Sequence, residues 1–214
     1  MIMTGNWLYA KSAFTKRTLK LYAMHPTLDI KGEHASTSII LDTMKKLAVD
    51  MCLGKFIDSY RIVQIIGFLH TLNQHSHYEK EEKCLYPALL GYDVPWTADT
   101  INHLISEHKL AQTYITEIDT LFEEYLSGNS QITNKLALCM INYVEHEKRH
   151  IKILDNVVLP LCEKLFDKSK LKSVSSDFKK LQDQNVGHLN RQEYRKLLSM
   201  LNAENDIPSE RVYY

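Results

Sequence analysis

Apolar residues recur every three or four positions through most of the chain, the pattern of helices that bury one face. From about Asp29 to Leu53 the face is marked by Ile39, Ile40, Met44, Leu47 and Met51. A second stretch runs from about Ile57 to Leu85 with Ile62, Ile65, Ile66, Leu69 and Leu72, and Pro87 and Gly91 punctuate its end. Pro95 and Thr97 introduce a third, from about Ala98 to Leu126. Gly128-Asn129-Ser130 breaks the pattern and offers an N-cap to a fourth, from about Gln131 to Leu165. Long helices with short connections predict an all-α fold, an antiparallel up-down four-helix bundle over residues 27–166. Residues 1–26, with Trp7, Leu8, Phe14, Leu19 and Tyr22, read as an N-terminal arm. The Lys- and Ser-rich run from Asp167 to Ser176 reads as a linker. Weak periodicity in Phe178 to Gln184 and Arg191 to Leu201 makes residues 167–214 a linker with a helical C-terminal extension.

Charge adds little to this picture. Lys+Arg and Asp+Glu both number 26, so no net field favours nucleic acid or a membrane surface. No apolar run reaches membrane-spanning length, and Lys11, Lys16 and Arg17 interrupt the N-terminal apolar residues where a signal peptide would be. A cytoplasmic location is expected, and signal-independent secretion is compatible with the same features. Cys52, Cys84, Cys139 and Cys162 are widely spaced within apolar helical patterns and read as buried reduced thiols.

Two segments carry the chemistry. His77 and His150 each stand ten residues before a proline, Pro87 and Pro160, with carboxylates four or five positions after the histidine. His77 and Glu81 are one helical turn apart and point the same way, as a metal-binding pair would. His150 and Asp155 need a widened, π-type turn to do the same. Glu33-His34 and Glu107-His108 add one histidine from each remaining helix. Glu33, Glu82 and Glu107 are candidates to orient a metal-bound imidazole through hydrogen bonds. Glu79, Lys80, Glu82 and Lys83 supply the solvated face of their helix. His146 reads as a surface or outer residue, Glu147 as an alternative carboxylate, and Tyr78 and Tyr86 as core packing. His25, His70, His75, His103 and His188 fall outside the pattern.

This constellation resembles the hemerythrin-like, or HHE cation-binding, proteins over roughly residues 27–165. His77 to Leu89 matches their His-x-x-Lys-Glu-Glu-x-x-Leu-aromatic-Pro-Ala-Leu motif. The resemblance implies a four-helix bundle around a non-haem diiron centre, oxo- or hydroxo-bridged. Its ligands would be His34, His77, Glu81, His108, His150 and Asp155, with Glu81 and Asp155 bridging. Zinc or manganese would suit the same donors. Leu104 stands where the oxygen carriers of the family place a fifth histidine, and Leu154 where many members place a glutamate. The cysteine-bearing N-terminal domain of the iron-centre repair members has no counterpart. The expected function is to bind or reduce a small oxidant such as O2, peroxide or nitric oxide, through open metal positions. Two further readings are a sensor or iron-handling module acting on a protein partner through the C-terminal tail, and a degenerate bundle serving only as an interaction protein.

Overall fold

The computed structural model describes residues 25–72 and 77–184, and all the regular structure in them is helical. In chain order these are α1 (Pro26–Cys52), α2 (Ser59–Leu72), α3 (Tyr78–Lys80), α4 (Tyr86–Leu90), α5 (Thr97–Leu126), α6 (Thr133–Ile153), α7 (Leu159–Leu165) and α8 (Lys168–Gln184). Two π-helical turns are inserted, Glu81–Leu85 between α3 and α4 and Leu154–Val158 between α6 and α7. A short 3-10 turn, Ser130–Ile132, leads into α6. α1 and α5 pack along α6, and α2 packs on α5. No helix among the described residues is long and apolar enough to cross a membrane.

Local sequence sets the ends. Pro26 opens α1, where its missing N–H costs nothing. Gly54 closes α1 at φ +68°, and its N–H donates to the Met51 carbonyl. The Gly128 break between α5 and α6 is made the same way, at φ +94°.

The π turns Glu81–Leu85 and Leu154–Val158 answer the expectation of a widened turn. The amide of Tyr86 reaches back five residues to the Glu81 carbonyl, and that of Leu159 to the Leu154 carbonyl. A proline stands two residues past the end of each, Pro87 or Pro160. A proline ring crowds the carbonyl four residues earlier, and a wider turn relieves that clash.

The core is divided in two. One hydrophobic cluster takes Ile40, Met44, Ile62, Ile65, Ile115, Met140 and Tyr143. The other takes Ile30, Leu85, Leu89, Leu104, Leu154, Leu159 and Phe178. Along each helix, the candidate histidine falls where one cluster gives way to the other.

Two expectations change here. Asp167 to Ser176 is no linker: α8 begins at Lys168 and lies against α1, α3 and the first π turn, burying Val174 and Phe178 in the second cluster. Cys84, Cys139 and Cys162 are buried, but Cys52 is exposed on the last turn of α1. Burial pushes the thiols of Cys139 and Cys162 up to about 12, so they stay protonated and unreactive. The N-terminal arm, apart from its last two residues, and the Arg191 to Leu201 periodicity lie outside the described residues.

Candidate metal centre

Five of the six expected ligands meet between the two core clusters. His34, His77, Glu81, His108 and His150 are each at most 4% exposed. They form two groups that share one carboxylate. His34, His77 and Glu81 offer donor atoms within 4.8 Å of one another, and so do Glu81, His108 and His150. Glu81 Oε1 lies 2.9 Å from His77 Nε2, and Glu81 Oε2 lies 3.1 Å from His108 Nε2 and 3.5 Å from His150 Nε2.

Each imidazole is held from outside by a carboxylate on its Nδ1. His34 pairs with Asp155 at 2.6 Å, His77 with Glu33 at 2.8 Å, His108 with Glu82 at 2.6 Å, and His150 with Glu107 at 3.1 Å. An ionised carboxylate only accepts, so each Nδ1 carries the proton and donates it. In the neutral ring Nε2 is then a bare lone pair. All four lone pairs face inward, with His34 and His77 Nε2 3.2 Å apart and His108 and His150 Nε2 3.2 Å apart. With His77 in that neutral form, Glu81 Oε1 has no hydrogen-bond donor although it is buried. Lone pairs gathered at that spacing around a buried carboxylate repel unless protons or metal cations sit among them. The donor set therefore fits metal ions, and all its atoms are N and O, which suits iron, zinc or manganese.

Asp155 is the correction. It stands on the outer nitrogen of His34, with its side chain 34% exposed, and does not join either donor group. The reason lies in a repeat that the two His-to-Pro segments announce. Glu33-His34 and Glu107-His108 open the two halves, and the second histidine follows 43 residues after His34 and 42 after His108. Glu33 serves His77 and Glu107 serves His150. One residue beyond the helical turn, Glu82 and Asp155 occupy matching places after His77 and His150, and both serve a histidine of the other half. Glu81 and Leu154 are the inward-pointing mates, and Leu154 is a fully buried leucine. The second carboxylate is thus replaced by a hydrocarbon at position 154, and Asp155 does the work of Glu82.

Lys80 is the residue that sequence reasoning misplaced. Read as solvated, it is fully buried, donating to Asp29 at 2.8 Å and to Glu33, with Phe178 beneath its ammonium at 5.4 Å. Burial works to raise the Glu33 pKa, but Lys80 and His77 outweigh it and lower it to about 2. The available signal was Asp29 and Glu33, two acids one helical turn apart ahead of His34. Glu82 does lie on the exposed face, as expected, and from there accepts from His108 Nδ1. Glu147 is buried and accepts from Tyr78 at 2.7 Å, and His146 Nε2 donates to the Glu107 carbonyl at 2.9 Å, so neither enters the donor groups. Tyr78 stacks on His108 at 3.8 Å, and Tyr86 donates to Glu81 Oε2 at 2.5 Å. Burial and then Glu81 push the Tyr86 phenol well above its usual range, which keeps it a donor. His70 pairs with Asp119 and His103 with Glu107, away from the donor atoms.

Fold and site together define a helical protein with a buried histidine and carboxylate centre for metal cations. A family model for the hemerythrin HHE cation-binding domain matches residues 25–162, and the chain belongs to that family. No curated protein and no solved structure gives a significant match.

Proposed function

We propose that His34, His77, Glu81, His108 and His150 hold two iron ions, with Glu81 shared between them, and that the centre binds or reduces a small oxidant such as O2, peroxide or nitric oxide. The observation that carries this reading is the set of four inward Nε2 lone pairs around the donor-free Glu81 Oε1. It takes the four histidine-bearing segments as the members of one antiparallel four-helix bundle. Bound iron would supply Lewis acidity and one-electron redox chemistry. The chain's own groups do the rest. Glu33, Glu82, Glu107 and Asp155 fix the tautomer and aim of each imidazole and make it a stronger donor. Leu104 and Leu154, both fully buried, put hydrocarbon where polar side chains could otherwise approach, leaving five protein residues to hold two ions. Elemental analysis with an absorption spectrum tests the reading. About two irons per chain is the expected result, with bleaching or a new band on adding peroxide or nitric oxide. No iron after anaerobic loading refutes it and leaves an interaction protein.

The metal-free centre should be a proton trap. Burial opposes the charged form of His77 and His150, but Glu81, Glu33 and Glu107 outweigh it, pushing His77 up to about 10 and His150 to about 9. A raised folded pKa stabilises the metal-free protein fully below the ordinary histidine value of 6.5, and that contribution fades as pH rises through about 9 to 10. Metal must displace both protons, so apparent affinity should climb with pH, by about tenfold per unit for each imidazole below those values. Melting curves and metal titrations from about pH 6 to about pH 10 check both slopes. An affinity flat across that range would mean that the imidazoles are already deprotonated.

A second reading, a sensor acting on a partner, is favoured by one contact. Phe178 of α8 lies over Lys80, Lys80 holds Glu33, and Glu33 holds His77. Metal loss that loosens His77 would then reach α8. Protease cleavage within residues 168–184 only after metal removal would support it, and steady turnover of peroxide or nitric oxide would favour the first reading.

A further inference from the structure

The repeat makes the two metal positions near equivalents: two imidazoles each, two outer carboxylates each, and one oxygen of Glu81 each. One group breaks the equivalence at the shared ligand itself. Tyr86 Oη donates to Glu81 Oε2 at 2.5 Å, with both residues buried, whereas no hydroxyl reaches Oε1, which has no donor once His77 Nε2 has given up its proton to a metal ion. The π turn creates this contact. Residues five apart diverge by about 140° on a straight α-helix, but the wide turn sets Tyr86 over Glu81. At the matching turn the two residues are Leu154 and Leu159, both apolar and fully buried, so nothing similar forms.

We propose that Tyr86 is a positioning residue that makes the two metal positions unequal, weakening the His108–His150 position relative to the His34–His77 position. The proposal rests on the two-metal reading above. A hydrogen bond to a carboxylate oxygen draws electron density from it and makes it a poorer donor to a cation. The same bond also helps to orient the carboxylate, which acts the other way. Orientation is the smaller effect here, because Glu81 is already packed between four imidazoles with no exposure. The His34–His77 position, built on the donor-free oxygen, therefore fills first.

The test titrates cobalt(II) into the full-length metal-free protein under anaerobic conditions, following its visible absorption. The wild type should take up two equivalents in two steps whose affinities differ by about tenfold or more, the usual range for groups outside the ligand shell. Tyr86→Phe keeps the ring and loses the hydroxyl; it should still bind two equivalents, with the steps drawn together to within about threefold, a fraction of that same effect. Tyr92→Phe, whose ring stacks on Phe166 away from the donor atoms, should leave the wild-type ratio unchanged. Should Tyr86→Phe not fold, the order of filling decides: His150→Ala should keep the tight first step and His77→Ala should lose it. Two equivalents with the same step ratio in wild type and Tyr86→Phe, or a tight step kept in His77→Ala, overturns the role of Tyr86 and leaves the metal centre standing. No cobalt bound by the wild type overturns the centre and this proposal together.

Discussion

Glu81→Gln is expected to empty both metal positions at once, taking the loaded protein from about two ions per chain to none. The carboxylate is the one donor that the two histidine pairs have in common, and the geometry gives one of its oxygens to each pair. An amide has the same shape but no charge, and its NH2 end is no ligand. The repeat offers no reserve, because the mate of Glu81 is Leu154. Asp155→Asn should behave quite differently. It keeps both ions and loses about 10- to 100-fold in affinity, as expected for a group that only orients a bound imidazole. Metal content after gel filtration separates the two variants. One ion retained in Glu81→Gln would show that Asp155 or Glu147 can supply a carboxylate from where it stands. Complete metal loss in Asp155→Asn would return Asp155 to the ligand set.

Lys80→Ala should be the costliest single change to stability, about 3–5 kcal/mol by chemical denaturation of the metal-free protein. The ammonium has no exposure, so everything that balances it is protein: Asp29, Glu33 and the face of Phe178. Removing one side of a buried ion pair leaves the other side uncompensated, which costs more than the pair was worth. Asp29 is 40% exposed and can turn to water, but Glu33 is only 18% exposed and stays committed to His77, so the loss belongs near the lower figure. The packing under α8 goes as well. Lys80→Met restores most of the hydrocarbon volume and should recover part of the loss. A cost under about 1 kcal/mol would place Lys80 among ordinary surface ion pairs.

The sequence made the helical segments and four histidines legible because both leave periodic marks. His34, His77, His108 and His150 each sit on an apolar stripe, and a polar residue on such a stripe has to be satisfied inside the protein. Glu81 was legible through its spacing from His77. Asp155 was not, because its destination depends on a turn of five residues, and a one-residue difference in phase moves a side chain from the inside of a helix to its flank. Leu154 takes the inward place and Asp155 the outward one. Lys80 was hidden for another reason. In one dimension it belongs to a charged run, Glu79 to Lys83, and it is covered by Asp29 and Glu33 of α1 and by α8, folded back from 168–184. Apolar periodicity in that tail is weak, and two residues, Val174 and Phe178, carry its burial.

The outer carboxylates have a consequence for how the chain could come apart. The half that carries His34 and His77 contains Glu33, the acid for His77, but the acid for His34 is Asp155 in the other half. The half that carries His108 and His150 contains Glu107 for His150 and borrows Glu82 for His108. Neither half can finish its own shell, and each finishes the other's by the same exchange. Two copies of one ancestral hairpin would satisfy the same rule across a twofold axis, as identical protomers do. Cut between α4 and α5, the chain would give two fragments with a mutual debt of one aspartate and one glutamate, and the metal ions would act as the bolt that joins them.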